Sequence, residues 1–257
     1  MKFKTTLMSG LLAATVAATS VFTAGIAQAG DKIRIATEGA YAPFNMVDAN
    51  GQLQGFDVDV ANALCAEMKA DCEIVAQDWD GIIPGLRARK YDAIIASMSI
   101  TEERLRVVDF SEPYYHNVLA FAGAKGKTLD TSEAGLKGLT VGAQRATIAG
   151  QYLEDKLGNV VKVKLYDTQD NAYLDLASGR LDALLSDKFP AYDWLNSDSG
   201  QAFEFKGSDI DINDKIGIAV RKGDPLTDKL NLALKTIVAN GTYADINSRY
   251  FPFSINQ

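Results

Sequence analysis

The stretch Ala96-Ser97-Met98-Ser99-Ile100-Thr101-Glu102-Glu103-Arg104 puts three hydroxyls at alternate positions and a guanidinium just after them. Arg104 can fork two parallel N–H···O bonds to a carboxylate, a geometry that Lys cannot match. On position alone, a surface ion pair with Glu102, Glu103 or Asp109 is an equal alternative. The hydroxyls favour binding. Ser97 and Ser99 point the same way along the strand, so a ligand could meet both, with Met98 in the same segment.

Other candidates stand at the ends of apolar runs. Glu38 follows Lys32–Thr37, and Asp187 closes Ala183-Leu184-Leu185-Ser186-Asp187. Thr147 precedes an apolar-periodic segment, 148–157, and reads as its N-cap; the free N–H groups of a helix start favour an anion. An Arg, a helix start and two acids would bracket a zwitterion that carries an additional cation. Tyr41 and Trp79 lie in adjoining loops, where an aromatic face can stack on an aliphatic chain or a planar cation, worth ~0.5–2 kcal/mol. Core or loop packing is the plain alternative for both. Gln144 and Arg145 fall at a loop rim, either solvated or touching a ligand. Asp78 and Asp80 read as caps or solvated charges.

Enzyme signatures are sparse. The single His, His116, has no G-x-S-x-G elbow to serve. Gly123–Thr128 grazes a phosphate loop but has Phe121 where the first Gly belongs. No H-E-x-x-H or C-x-x-C is present, so no metal, cofactor or catalytic residue is expected.

These residues need elements to hold them. Residues 32–37, 72–76 and 92–97 read as strands. Residues 55–69 read as a helix, with Phe56, Val60, Leu64 and Met68 on one face, and 80–90 as a shorter helix with Ile82, Ile83 and Leu86 inward. The alternation predicts an α/β class with a largely parallel sheet. The pattern then repeats: Arg89–Ser97 (RKYDAIIAS) matches Gly179–Asp187 (GRLDALLSD), and Lys32–Glu38 matches Gly138–Gln144. Two similar lobes follow, with ligand outside the carboxyl ends of their strands. Residues 114–122 and 215–220 read as extended crossings between them, and helices over 226–239 and 243–250 return to the first lobe.

The leader supplies an address. Lys2 and Lys4, the mostly apolar run from Leu7 to Ile26 and Ala27-Gln28-Ala29 read as a secretory signal peptide over 1–29. Its removal takes two lysines from a chain already at net charge −7, which argues against nucleic acid and anionic membranes as partners. In an oxidising compartment Cys65 and Cys72 can pair across a short loop; a metal site is the weaker alternative.

The segments IATEGAYAPF, GFDVDVANALC, QDWDGIIPGL, YDAIIASMSITEER and SGRLDALLSD resemble the periplasmic polar-amino-acid-binding proteins of ABC importers, nearest the lysine/arginine/ornithine and histidine binders. The likeness spans Ile33 to Phe253. It implies a type II periplasmic-binding-protein fold: two Rossmann-like lobes joined by two hinge crossings, a Venus flytrap. Lobe 1 would be 30–116 plus 214–257, and lobe 2 would be 117–213. By motif position Arg104 would clamp the α-carboxylate with Thr147 and the Ser97/Ser99 segment. Asp187 would hold the α-ammonium, Glu38 would face the side-chain cation, and Tyr41 and Trp79 would stack. Cys65 and Cys72 match the group's short disulfide loop. Two positions depart from the pattern: Ala96 replaces a possible Ser, and Ile148 lacks a hydroxyl but keeps its N–H. The implied role is a periplasmic, monomeric receptor that delivers arginine, ornithine, lysine or histidine to an inner-membrane ABC permease. The alternatives are a cyclohexadienyl or arogenate dehydratase on the same scaffold, which would recruit Glu38 or Asp187 as its acid, and a ligand-sensing module.

Overall fold

A computed structural model describes Met1 and residues 32–256. The leader expected over 1–29 therefore lies, beyond Met1, outside the described residues.

The first lobe opens with β1 (Ile33–Thr37). A small antiparallel sheet of β2 (Ala40–Tyr41), β3 (Asn45–Val47) and β4 (Leu53–Gln54) follows. Then come α1 (Phe56–Met68), β5 (Cys72–Ala76), α2 (Trp79–Arg87), β6 (Ala93–Ile94), α3 (Glu102–Leu105) and β7 (Val108–Phe110). The second lobe runs through β8 (Tyr115–Ala124), α4 (Glu133–Leu136), β9 (Thr140–Gln144), α5 (Ile148–Leu157), β10 (Lys162–Tyr166), α6 (Gln169–Ala177), β11 (Ala183–Asp187), α7 (Lys188–Asn196) and β12 (Phe203–Ile216). The chain returns through β13 (Ala219–Arg221), α8 (Leu226–Ala239) and α9 (Thr242–Tyr250).

The two main sheets share one plan. Their strand orders are β5-β1-β6-β13-β7 and β10-β9-β11-β8-β12, with parallel pairing at the β5-β1-β6 and β10-β9-β11 ends. The repeat seen in the sequence has a hydrogen-bond basis. Asp92 accepts from the Arg34 N–H, and Asp182 accepts from the Thr140 N–H, at 3.0 and 2.8 Å. In each lobe that carboxylate pairs an edge N–H at the start of the neighbouring strand, which fixes the register.

Apolar periodicity explains the packing. Phe56, Val60 and Leu64 on α1 meet Leu230, Leu234 and Ile237 on α8 and Tyr243 and Ile246 on α9 in one buried cluster. Each such side chain contributes about 1.5–3 kcal/mol through burial, which is why the C-terminal helices return to the first lobe. In the second lobe Leu153 and Leu157 of α5 pack on Val141 and Leu185. A Cys65–Cys72 disulfide ties α1 to β5. Among the described residues, no helix is long and apolar enough to cross a membrane.

Two expectations need adjustment. The strand expected over 92–97 pairs only at Ala93–Ile94. Beyond Ile95 the backbone leaves the sheet, and Ser97 takes φ 51°. Ser97 and Ser99 therefore do not share a strand face. The segment 114–122 is extended, as expected, but from Tyr115 onward it is a strand of the second lobe: β8 pairs with β11 and β12 in the second sheet. The division drawn from sequence at 116/117 and 213/214 falls inside β8 and β12, and the chain passes between sheets at 110–115 and 216–219.

Candidate functional site

The carboxyl ends of β1 and β6 deliver the first wall. Glu38 comes directly after β1. Its loop is shaped by Gly39 (φ 83°), whose N–H donates to Asn45 Oδ1. Asn45 in turn donates to Asp57, a fully buried carboxylate in the first turn of α1. Asp57 also accepts from Ser97 Oγ at 2.9 Å and Tyr114 OH at 2.6 Å. One acid thus fastens the Glu38 loop, the Ser97 turn and the start of the first crossing. Burial pushes its carboxyl up to about 6 against those three hydrogen bonds.

Thr101, the third of the alternating hydroxyls, caps α3, accepting from the Arg104 N–H at 3.2 Å. That cap turns the Arg104 side chain inward, where the residue is only 7% exposed. Nη1 donates to the Ser99 carbonyl and Nη2 to the Ala146 carbonyl, both at 2.8 Å. The guanidinium lies over the Trp79 ring at 5.3 Å. Burial lowers its affinity for the proton, to about 10, while Asp214, Asp187 and Glu103 oppose that loss. A surface ion pair is ruled out by this placement.

The second crossing adds a carboxylate. Asp214 on β12 accepts from Ser99 Oγ (3.2 Å) and Asn117 Nδ2 (2.9 Å). Backbone bonds from Ile100 N to Lys215 O and from Gly217 N to Met98 O lace the Ser99 segment to this crossing.

The second wall comes from β9, α5 and β11. Thr147 caps α5, accepting from the Gly150 N–H and donating to the Gln144 carbonyl. Ala146 before it sits at φ 53°, a left-handed conformation that aims its carbonyl at Arg104. Such a conformation is costly for a residue with a Cβ, so the surrounding contacts must enforce it. Asp187 ends β11 and accepts from Tyr41 OH at 2.7 Å, leaving its buried Oδ1 without a partner. Burial and the nearby Asp214 carboxylate raise its carboxyl to about 7.

At the far end Gln144 Nε2 donates to Glu38 at 2.6 Å, and Gln144 Oε1 is buried and unpartnered. Glu38 is raised to about 7, first by burial and then by the acids Asp170, Asp78 and Asp80. Arg145 spans the rim between Asp167 (2.5 Å) and Asp80 (3.5 Å). The walls face each other closely: Tyr41–Asp187, Glu38–Gln144, Arg104–Ala146 and Arg145–Asp80 all join one lobe to the other.

Residues 33–253 match the bacterial extracellular solute-binding proteins, family 3. The chain belongs to this family. An L-arginine-binding protein of Pseudomonas aeruginosa is 43% identical over 235 residues, covering 88% of this chain and 91% of that protein. The lysine/arginine/ornithine-binding periplasmic protein of Escherichia coli K12 is 38% identical over 232 residues, covering 88% and 89%. A solved ancestral arginine-binding protein bound to arginine superposes with a TM-score of 0.81 at 37% identity, covering 86% of this chain and 98% of that one. The type II two-lobed architecture is common to these structures.

In this family-3 chain the cleft between the lobes is lined by Glu38, Tyr41, Trp79, Ser97, Ser99, Arg104, Gln144, Thr147 and Asp187, together with Ala96 and Ile148. Nine of the ten residues singled out from sequence meet there. Met98 does not line it; it packs behind Trp79 with Ile82 in a core cluster. Gln144 is 1% exposed, so the solvated-loop alternative fails for it, while its neighbour Arg145 remains exposed. Asp57, Asn117 and Asp214 were not singled out. Asp57 carried a signal, an acid beside Phe56 on an inward helix face. Asp214 carried none, because it follows Asp209, Asp211 and Asn213 in a polar segment that reads as solvated.

Proposed function

We propose that this protein is a periplasmic receptor that captures a basic L-amino acid, with arginine first among the candidates, and delivers it to an ABC permease of the inner membrane. One observation carries the reading. A single cleft holds a buried guanidinium at one end and a buried carboxylate at the other, about which further acids cluster. Arg104 takes the α-carboxylate together with the free N–H groups at the start of α5. Asp187, steadied by Tyr41, takes the α-ammonium. Glu38 and the open Gln144 Oε1 accept from the side-chain cation. Trp79 backs the Arg104 guanidinium. The names of the relatives, all binding proteins and two of them arginine binders, support receptor over dehydratase.

The finer statements belong to the same proposal. Residues 1–29 are removed on export, and the protein works as a monomer without nucleic-acid partners. The division proposed from sequence, lobe 1 as 30–116 plus 214–257 and lobe 2 as 117–213, lies within two or three residues of the ends of β8 and β12. Because ligand contacts come from both walls, ligand favours the closed arrangement. Isothermal titration of the twenty amino acids tests the reading. Arginine, ornithine, lysine or histidine should bind; binding by neutral or acidic ones alone would remove Glu38 from its role. Turnover of prephenate or arogenate would replace receptor by dehydratase.

A further inference from the structure

Behind the cleft, on the outer side of the crossing strands, lies a cavity of about 640 Å³. That volume falls within the range of about 300–1,000 Å³ usual for small-molecule sites. Phe189 and Tyr192 of α7, Phe205 of β12 and Phe253 of the C-terminal segment give it aromatic walls. Phe253 packs 5.7 Å from each of Phe189 and Tyr192, so the rings form one surface. Asp211 and Asp214 add two carboxylates. The one ammonium, Lys188, is already committed to Asp209 and lies 5.9 Å over the Phe205 ring.

Two buried side-chain atoms beside the cavity lack hydrogen-bond partners. Asn117, 3% exposed, lines the cavity with a buried Oδ1 that accepts no hydrogen bond, and the Nδ1 of neighbouring His116 is likewise unpartnered. Aromatic faces attract cations, and an orphaned carbonyl with two carboxylates asks for N–H donors. One of these rings, Phe205, already has the Lys188 ammonium over its face. Asn117 and Asp214 form the partition, since Asp214 also accepts from Ser99 in the cleft.

We propose that this cavity is a second ligand site, distinct from the cleft, for a small arylalkyl ammonium ion. The ring would lie among Phe189, Tyr192 and Phe253 and the ammonium would point toward Asn117 Oδ1 and Asp211. The test titrates 2-phenylethylammonium into the full protein, with and without saturating L-arginine, against the neutral 3-phenylpropan-1-ol and the anionic 3-phenylpropionate. Saturable one-to-one binding of the cation should persist in arginine and be at least about tenfold tighter than that of either control. Asp211→Asn and Phe253→Ala should each weaken it about fivefold, leaving arginine affinity unchanged. Absence of saturable binding, equal binding of the three probes, displacement by arginine, or indifference to both substitutions would overturn the site. Because the substitutions lie outside the cleft, their effect is readable even if arginine is not the cleft's ligand.

Discussion

The two ends of the cleft solve different problems. At the near end Arg104 faces Asp187 and Asp214, with hydrogen bonds from Ser99, Asn117 and Tyr41. Charges of both signs are held by backbone and hinge, ready for the dipolar part common to all amino acids. At the far end Glu38 has one neutral partner, Gln144, with Asp170, Asp78 and Asp80 beyond it and the nearby Arg145 already paired to Asp167 and Asp80. That end is short of positive charge. A zwitterion satisfies the first end; only a ligand with a further cation satisfies the second. General amino-acid recognition and choice of side chain are thus built from separate residues.

The largest effect should come from breaking the near end. Arg104→Met would leave the ligand's α-carboxylate buried without its guanidinium partner, and truncating one partner of a buried, hydrogen-bonded charge pair costs binding about 2–5 kcal/mol. Binding of every amino acid should fall roughly 1,000-fold, measured by titration, while circular dichroism stays that of a folded protein. Retained affinity would remove the clamp.

Breaking the far end should be selective. In Glu38→Gln the pairing of a cation with a carboxylate becomes a hydrogen bond from the cation to a neutral amide, a loss of about 2 kcal/mol, so arginine should bind about 30-fold more weakly. Any neutral amino acid that binds weakly should be unaffected or improved. Equal losses for charged and neutral ligands would merge the two ends into one.

The same contrast appears in pH. The Glu38 and Asp187 carboxyls sit at about 7 without a bound cation. A cationic ligand prefers both ionised, so uptake should release protons, and affinity should improve by about tenfold for each carboxyl, about a hundredfold in all, between pH 6 and 8. Titration in buffers of different ionisation enthalpy measures the protons directly; a pH-flat affinity would contradict it. For ligand-free stability the sign reverses. The folded Glu38 carboxyl holds its proton up to about 7, above its ordinary 4.5, so its contribution favours folding at low pH and is lost as pH rises through that window. Glu38→Gln should therefore raise the melting temperature at pH 8 by roughly 5 °C and leave it unchanged at pH 4.

The smallest effect lies away from both ends. Replacing Cys65 and Cys72 by Ser should lower stability by less than about 3 kcal/mol, since the closed loop is short, and leave arginine affinity unchanged.

Much of the molecule is legible without coordinates, for local reasons. Helix α5 begins where Thr147 offers a cap and ends where the apolar spacing stops; α8 follows its period from Leu226 to Ala239. The repeated D-A-I/L-I/L strands announced two lobes, because the same aspartate performs the same edge pairing in each. The Ser97–Ser99 geometry is not legible along the chain, because no local rule foresees a serine at φ 51°. That turn is imposed by Asp57, forty residues away, and by a backbone bridge to the returning crossing.

The sequence by itself determined the α/β class, the repeat and most residue types of the cleft, since periodicity, caps and charge are properties of neighbours along the chain. Only the tertiary structure decided which acids face which cation. The burial that lifts Glu38 and Asp187, the seat of Asp214 beside Arg104 and the orphaned oxygens of Gln144 and Asp187 all arise where two lobes meet. Desolvation depends on what lies within a few ångströms in space, and the linear order of residues carries no record of it.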